Sequence, residues 1–213
     1  MDNIEQKAKE FWNNIFGDDF DFLDKYFKTY FDKDNLIIGF DNDTKEVKYM
    51  TLIIQYDYKY FDKIISIAYL TAISTNPKYR NQGLMKENLN KVFNKLNDRG
   101  IILACLIPAN DLLKDTYERY DFVSCFSKDK PLDSNKTIIH NNKTFELYRE
   151  LGYNISELIP HNKGMLKILD KAKALDLYYN HNPKAETISN TEDIIMLTKQ
   201  IFGDSFMDLM FDE

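Results

Sequence analysis

The stretch that most constrains this chain is residues 70–85, Leu-Thr-Ala-Ile-Ser-Thr-Asn-Pro-Lys-Tyr-Arg-Asn-Gln-Gly-Leu-Met. It reads as a strand, then a Pro-punctuated turn, then a loop that carries an Arg and a Gly straight into an amphipathic helix. Met85, Leu89, Val92, Phe93 and Leu96 mark one face of that helix, and Gly100 closes it. Residues 101–107 are almost continuously apolar, the pattern of a strand buried on both faces. Strand, helix and strand in this order require a right-handed crossover with parallel neighbours. A helix entered through such a loop aims its unbonded N–H groups, and the positive end of its dipole, at whatever the loop holds. That is an anion site, and phosphate is its natural occupant.

The flanking segments supply the layers around this unit. Ile4, Ala8, Phe11, Trp12, Ile15 and Phe16 fall on one helical face that Gly17 terminates. Asp18 and Asp19 stand ready to cap a second helix whose face is Phe22, Leu23, Tyr26, Phe27, Tyr30 and Phe31. Aromatics at helical spacing are expected to be core, since they dominate buried area. Strands are expected over 36–40, 47–55 and 64–72, with residues 41–44 as the hairpin turn between the first two. A short helix over 111–120 and a strand over 122–126 complete a mixed sheet covered by helices, an α/β (α+β) fold.

With 213 residues, 44% hydrophobic and 14% aromatic, the chain buries a real core in one domain, or one domain with an appendage. Its formal net charge of -6 argues against broad attraction to nucleic acid or an anionic membrane, and mildly favours cationic small molecules or peptides. No basic segment followed by an apolar run opens the sequence, and no stretch is apolar and long enough to span a bilayer, so a cytoplasmic location is expected. Cys105 and Cys125 lie in apolar runs without metal-ligand spacing and read as buried thiols. His140, His161 and His181 sit in polar, loop-like surroundings and read as surface residues, so no metal is expected.

Arg80-Asn-Gln-Gly83-Leu-Met85, in its strand–helix context, resembles the Arg-x-x-Gly-x-Gly/Ala signature of the GNAT superfamily of acyl-CoA-dependent N-acetyltransferases. The lead-in Thr75-Asn-Pro-Lys-Tyr79, the later Tyr117-Glu-Arg-Tyr-Asp-Phe122 and Asn110 ahead of it are similar to further family motifs. The chain departs from the pattern at Met85, where a small residue is usual, and at Asp121, which replaces a Gly, so that the turn must tolerate a side chain, as Asp does better than most residues if the backbone is left-handed. The resemblance implies that residues 1–130 form a GNAT-like catalytic domain taking acetyl-CoA as cosubstrate. Coenzyme A would be bound by Ile73, Thr75, Arg80, Asn81, Gln82, Gly83, Leu84, Met85 and Asn110. The diphosphate would rest on the N–H groups of residues 81–85, and the pantetheine arm would lie along the strand at Ile73 and Thr75, with a bulge near Ser74 opening the sheet.

The implied chemistry is direct attack of a primary amine on the thioester, with the backbone N–H of Thr75 as oxyanion donor and Tyr117 as general acid. Deprotonating a lysine-like amine of pKa about 10.4 at neutral pH costs roughly 4–5 kcal/mol, so a base is needed. Residues 64–75 contain no Asp or Glu, and Asp57 and Asp62 flank that strand at positions suited to solvated carboxylates.

Residues 127–135 form a turn-rich linker, and residues 144–151 suit helix or strand equally. Residues 164–170 read as a strand leading to a helix over 171–180 capped by Asp170, and Ser189-Asn-Thr-Glu192 as a capping box for a helix that Gly203 ends. This pattern resembles a shortened sterol-carrier-like domain of the Eis type of acetyltransferase, which makes residues 131–213 a small α/β appendage. In that type the terminal carboxylate reaches the acetyltransfer site, which offers Glu213 as the base. The expected partners are acetyl-CoA and an amine of a small molecule or peptide, with no nucleic acid and no membrane, and homo-oligomerisation left open. The alternative is a non-catalytic acyl-CoA-binding or interaction module that keeps the fold.

Overall fold

A computed structural model of the chain describes residues 4–127, 135–140, 142–154, 163–188 and 193–207. Its elements are α1 (Ile4–Phe16), α2 (Phe20–Tyr30), β1 (Leu36–Phe40), β2 (Val47–Tyr60), β3 (Lys63–Thr75), α3 (Leu84–Asp98), β4 (Leu103–Leu106), α4 (Asp111–Glu118), β5 (Val123–Ser124), β6 (Lys136–Ile139), α5 (Asn142–Glu150), β7 (Met165–Ile168), α6 (Lys171–His181) and α7 (Ile194–Phe202). The strands form a mixed sheet in the order β1-β2-β3-β4-β7-β5, with β6 also pairing to β2. Two compact units divide the chain, the first made of residues 1–54, 70–96 and 141–155, the second of 55–69, 97–140 and 156–213.

In the first unit, most of the aromatic faces of α1 and α2 is core, while Phe16 at the end of α1 is exposed. Ala8, Phe11 and Trp12 of α1 and Leu23, Tyr26 and Phe27 of α2 are buried, each large side chain contributing roughly 1.5–3 kcal/mol of transfer free energy. The two aspartates between the helices divide their work. Asp19 caps α2 by accepting from the Phe22 N–H at 2.8 Å, whereas Asp18 accepts from the Trp12 indole N–H at 2.7 Å and so anchors the ring. Of residues 144–151, ambiguous in sequence, all but Leu151 belong to the helix α5, because Thr144, Leu147 and Tyr148 are buried at i, i+3 and i+4 spacing. The Tyr30 hydroxyl donates to Thr144 Oγ1 at 2.8 Å and ties α2 to α5.

In the second unit, β4 is buried along its length and runs parallel to β3, with Ile67, Ala68 and Tyr69 opposite Leu103, Ala104 and Cys105. Its other neighbour is β7, antiparallel, which also pairs with β5. The segment after residue 130 therefore supplies a strand between β4 and β5. Asp170 caps α6 through the Lys173 N–H at 3.0 Å, and Asp193 caps α7 through the Ile195 N–H at 2.9 Å. The expected box at residues 189–192 lies outside the described residues. Beyond α7, Ser205 and Phe206 bridge two chain segments: the Ser205 N–H donates to Cys125 O and the Phe206 N–H to Lys136 O, at 2.9 and 2.7 Å.

Both cysteines are buried free thiols, and burial pushes the Cys125 thiol up to about 12 and raises that of Cys105 as well. His140 corrects the surface reading: it is 9% exposed and stands edge-on to the Tyr56 ring at 5.8 Å, since that neighbouring aromatic covers it from solvent. His181 is exposed and stacks on Phe61 at 3.4 Å between centroids; His161 lies outside the described residues. Among the described residues no helix is long and apolar enough to cross a membrane.

Candidate functional site

The end of β3 prepares the loop. Ala72 adopts φ 51°, a left-handed conformation that costs an L-residue about 1–2 kcal/mol, and the Ser74 hydroxyl folds back to donate to Ala72 O at 3.0 Å. The irregularity expected near Ser74 thus sits at Ala72. Pairing with β4 extends to Tyr69, while the strand itself continues to Thr75. The Ile73–Thr75 end of β3 therefore runs on past its parallel ladder with β4.

Asn76 then turns the chain. Its N–H donates to Lys48 O at 2.8 Å, its amide nitrogen to Val47 O at 3.0 Å, and its Oδ1 accepts from the Lys78 N–H at 3.1 Å, capping the 3-10 turn Pro77–Tyr79. Glu46 takes both side chains of that turn, accepting from Lys78 Nζ at 2.6 Å and from the Tyr79 hydroxyl at 3.0 Å. The Lys78 hydrogen bond, then that of Tyr79, holds the Glu46 carboxyl below its ordinary value. Arg80 is exposed, and its Nε donates to Thr75 O at 3.4 Å, which keeps the guanidinium beside the strand end.

Asn81 and Gly83 are both left-handed, with φ 61° and 76°, so the backbone between them curls instead of extending. Such a curl turns successive N–H groups toward one side, the geometry of an anion-binding nest. A Cβ at Gly83 would meet no atom within 4 Å; the glycine is needed for its backbone angle, and the space beside it is open. Asn81, Gln82 and Gly83 are exposed, Leu84 is buried and Met85 half-buried. The Glu87 N–H donates to Gly83 O at 3.2 Å, so the N–H groups of Leu84, Met85 and Lys86 precede that first turn of hydrogen bonding. Those donors, the helix dipole and Arg80 are the groups on this segment that could hold an anion such as a diphosphate.

Two further ties hold α3. Asn88, fully buried, donates through Nδ2 to Met50 O at 3.0 Å and to Thr51 Oγ1 at 2.8 Å. The Tyr49 hydroxyl donates to Glu87 Oε1 at 2.7 Å, and Lys91 Nζ donates to both. In the sequence Asn76 stands out only as a member of the lead-in to the loop, and Asn88 not at all. The signal for Asn88 is a polar residue on a four-residue spacing with Leu84, Val92 and Leu96, all buried.

On α4, Tyr117 is 5% exposed, edge-on to Phe122 at 5.9 Å, and its carbonyl accepts from the Tyr120 and Phe122 N–H groups. Asn110 is the cap of that helix, Oδ1 accepting from the Leu113 N–H at 2.9 Å. Asp121 has φ 63°, a left-handed conformation that Asp tolerates, and its carboxylate is held by Lys167 Nζ at 2.9 Å. Asp57 and Asp62 are exposed. Glu213 lies outside the described residues, and among those described no cluster of His, Cys, Asp or Glu could hold a metal ion. Residues 73–85 thus form one continuous segment, while Asn110 caps the helix that carries Tyr117.

No curated protein matches the sequence. A GNAT-family acetyltransferase from Staphylococcus aureus Mu50 superposes with a TM-score of 0.52 at 16% identity, covering 80% of this chain and 96% of its own. A GCN5-related N-acetyltransferase from Anabaena variabilis gives 0.50 at 18% identity over 59% of this chain, and Eis1 from Mycobacterium abscessus gives 0.41 at 14% over 46%. This chain spans 30% of the Anabaena protein and 24% of Eis1. A family model described as an acetyltransferase (GNAT) domain matches residues 2–124, more than half of the sequence. That match takes in the loop, its helix and Tyr117 together, and the chain belongs to the GNAT acetyltransferase family.

Proposed function

We propose that the protein is an acetyl-CoA-dependent N-acetyltransferase whose acceptor is a primary amine of a small molecule or peptide. The observation that carries this reading is the curled segment from Asn81 to Gly83, left-handed at both residues, opening onto the start of α3 beside Arg80. When bound, acetyl-CoA supplies an acetyl group activated as a thioester. The N–H groups of residues 81–85 and the Arg80 guanidinium hold the diphosphate. The Ile73–Thr75 backbone offers main-chain groups to the pantetheine arm in the manner of an added strand.

The amine nitrogen forms a bond to the carbonyl carbon as the C–S bond breaks, the Thr75 N–H steadies the developing oxyanion, and the departing sulfur takes the proton of the Tyr117 hydroxyl. The proton lost by the amine goes to a base, for which the terminal carboxylate of Glu213 is the candidate. The kinship of the C-terminal segment to a reduced sterol-carrier-like element belongs to the same reading.

The test is CoA release from acetyl-CoA with a panel of polyamines, aminoglycosides and peptides. Turnover is expected with one of these classes, and Tyr117→Phe is expected to lower kcat by roughly 10²-fold while leaving the Kd for acetyl-CoA unchanged. Binding of acetyl-CoA with no acetylated amine, and no effect of Tyr117→Phe, would make the protein a non-catalytic acyl-CoA-binding module. Failure to bind acetyl-CoA would remove both readings.

A further inference from the structure

We propose that residues 46–51 are the positioning base of the loop, with Asn76 and Asn88 as its two anchors, so that these asparagines set the affinity for the diphosphate of coenzyme A without touching it. The inference rests on the loop being the coenzyme A site. Both ends of the loop are tied to one short run of β2. At its start Asn76 bonds to the carbonyls of Lys48 and Val47, and the adjacent turn is held by Glu46. At its far side Asn88 bonds to Met50 and Thr51, and Glu87 to Tyr49. Six consecutive residues, 46–51, thus receive the two ends of the segment that curls between them.

Asn88 is the most informative of these groups. It occupies a fully buried position on a face that is otherwise Leu84, Leu89, Val92 and Leu96, where an apolar side chain would pack without any polar group to satisfy. Its Oδ1 has no hydrogen-bond partner among the described residues, so the amide carries an uncompensated cost. What it gives in return is direction. Apolar packing lets a helix slide and rotate over a sheet, whereas two hydrogen bonds from one amide fix its axial and angular position. The donors of Leu84, Met85 and Lys86 lie within about 6 Å along the helix axis, at 1.5 Å per residue. Charge-assisted hydrogen bonds to an anion are made at about 2.7–2.9 Å, so a small displacement of α3 weakens several at once.

The acidic Glu87 would otherwise oppose an anion in this first turn. Its carboxylate is held by Lys91 and Tyr49, which offset that charge and add a second tie to β2.

The test compares binding of coenzyme A by calorimetry with binding of pantetheine, which lacks the diphosphate, by NMR titration. Asn76→Ala and Asn88→Leu are each expected to raise the Kd for coenzyme A roughly tenfold while changing that for pantetheine less than about twofold. Unchanged coenzyme A affinity in the folded variants, or equal losses for both ligands, would overturn the proposal by reducing these residues to general structure. Should Asn88→Leu fail to fold, Asn76→Ala and Lys91→Met carry the same comparison. Wild-type protein that binds no coenzyme A would instead remove the reading of the loop itself.

Discussion

Tyr49 shows how much can depend on a single missing side chain. Its ring lies over Gly39, where an added Cβ would stand 2.3 Å from the Tyr49 ring, and its hydroxyl is held by Glu87 and Lys91. The ring is buried and tethered at its far end, so it cannot move aside cheaply. Gly39→Ala is therefore expected to destabilise the protein by about 2 kcal/mol in urea unfolding, an overpacking cost. Gly83→Ala is a different case, since the space beside it is open and only its φ of 76° resists substitution. Its expected cost to stability is smaller, about 1 kcal/mol, and its larger effect should appear in the Kd for coenzyme A, because the curl that aims the N–H groups is what changes. A stability loss at Gly83 matching that at Gly39 would show that open space had been misjudged.

At the scale of elements, the loop's ties to β2 and to the turn between β1 and β2 are partly ionic, so they are pH-dependent. Glu46 is held below the ordinary 4.5 by Lys78 and then Tyr79, and Glu87 by Lys91 and then Tyr49. A carboxyl whose folded value is depressed contributes stability above its ordinary value and loses it as pH falls through the folded value. The thermal midpoint is thus expected to fall as pH drops below 4.5, with a shallower acid slope in the double variant Glu46→Gln, Glu87→Gln. Identical slopes would show that the exposed pairs are screened to nothing. Caps make a cleaner local test: Asp170→Ala removes the acceptor for the Lys173 N–H and should cost about 1 kcal/mol by the same unfolding measurement.

The elements were legible to different degrees. The helices α1, α2, α3 and α6 stand where periodicity and caps put them, because their signals are local. The strands β2 and β3 run to Tyr60 and Thr75, beyond the expected ends. The alternation of Gln55, Asp57 and Lys59 with buried Tyr56, Tyr58 and Tyr60 is a period-2 signal, but its partner β6 lies some eighty residues further along the chain. Pairing at that separation leaves no mark in either segment alone, which is also why β6 was not foreseen.

At the scale of the whole molecule, the buried thiols offer a probe of opening. Cys105 and Cys125 are both buried, with their thiols raised by burial, so a thiol reagent at neutral pH is expected to label neither in the native protein and both in denaturant. Native labelling of Cys105 at a rate matching free thiol would mean that β4 is not the buried strand described here.

For this chain, residue order alone determined the features that depend on near neighbours: the crossover from β3 through α3 to β4, the cap at Asp170, and the core role of most of the α1 and α2 aromatics. Hydrogen bonds to a residue's own neighbours and the spacing of apolar side chains on one element suffice for these. The tertiary structure alone decided that residues 144–150 are helix, that β7 lies between β4 and β5, that His140 is buried, and that Asn76 and Asn88 tie both ends of the loop to residues 46–51. Each of these depends on a partner distant in sequence, whose position exists only once the sheet has formed.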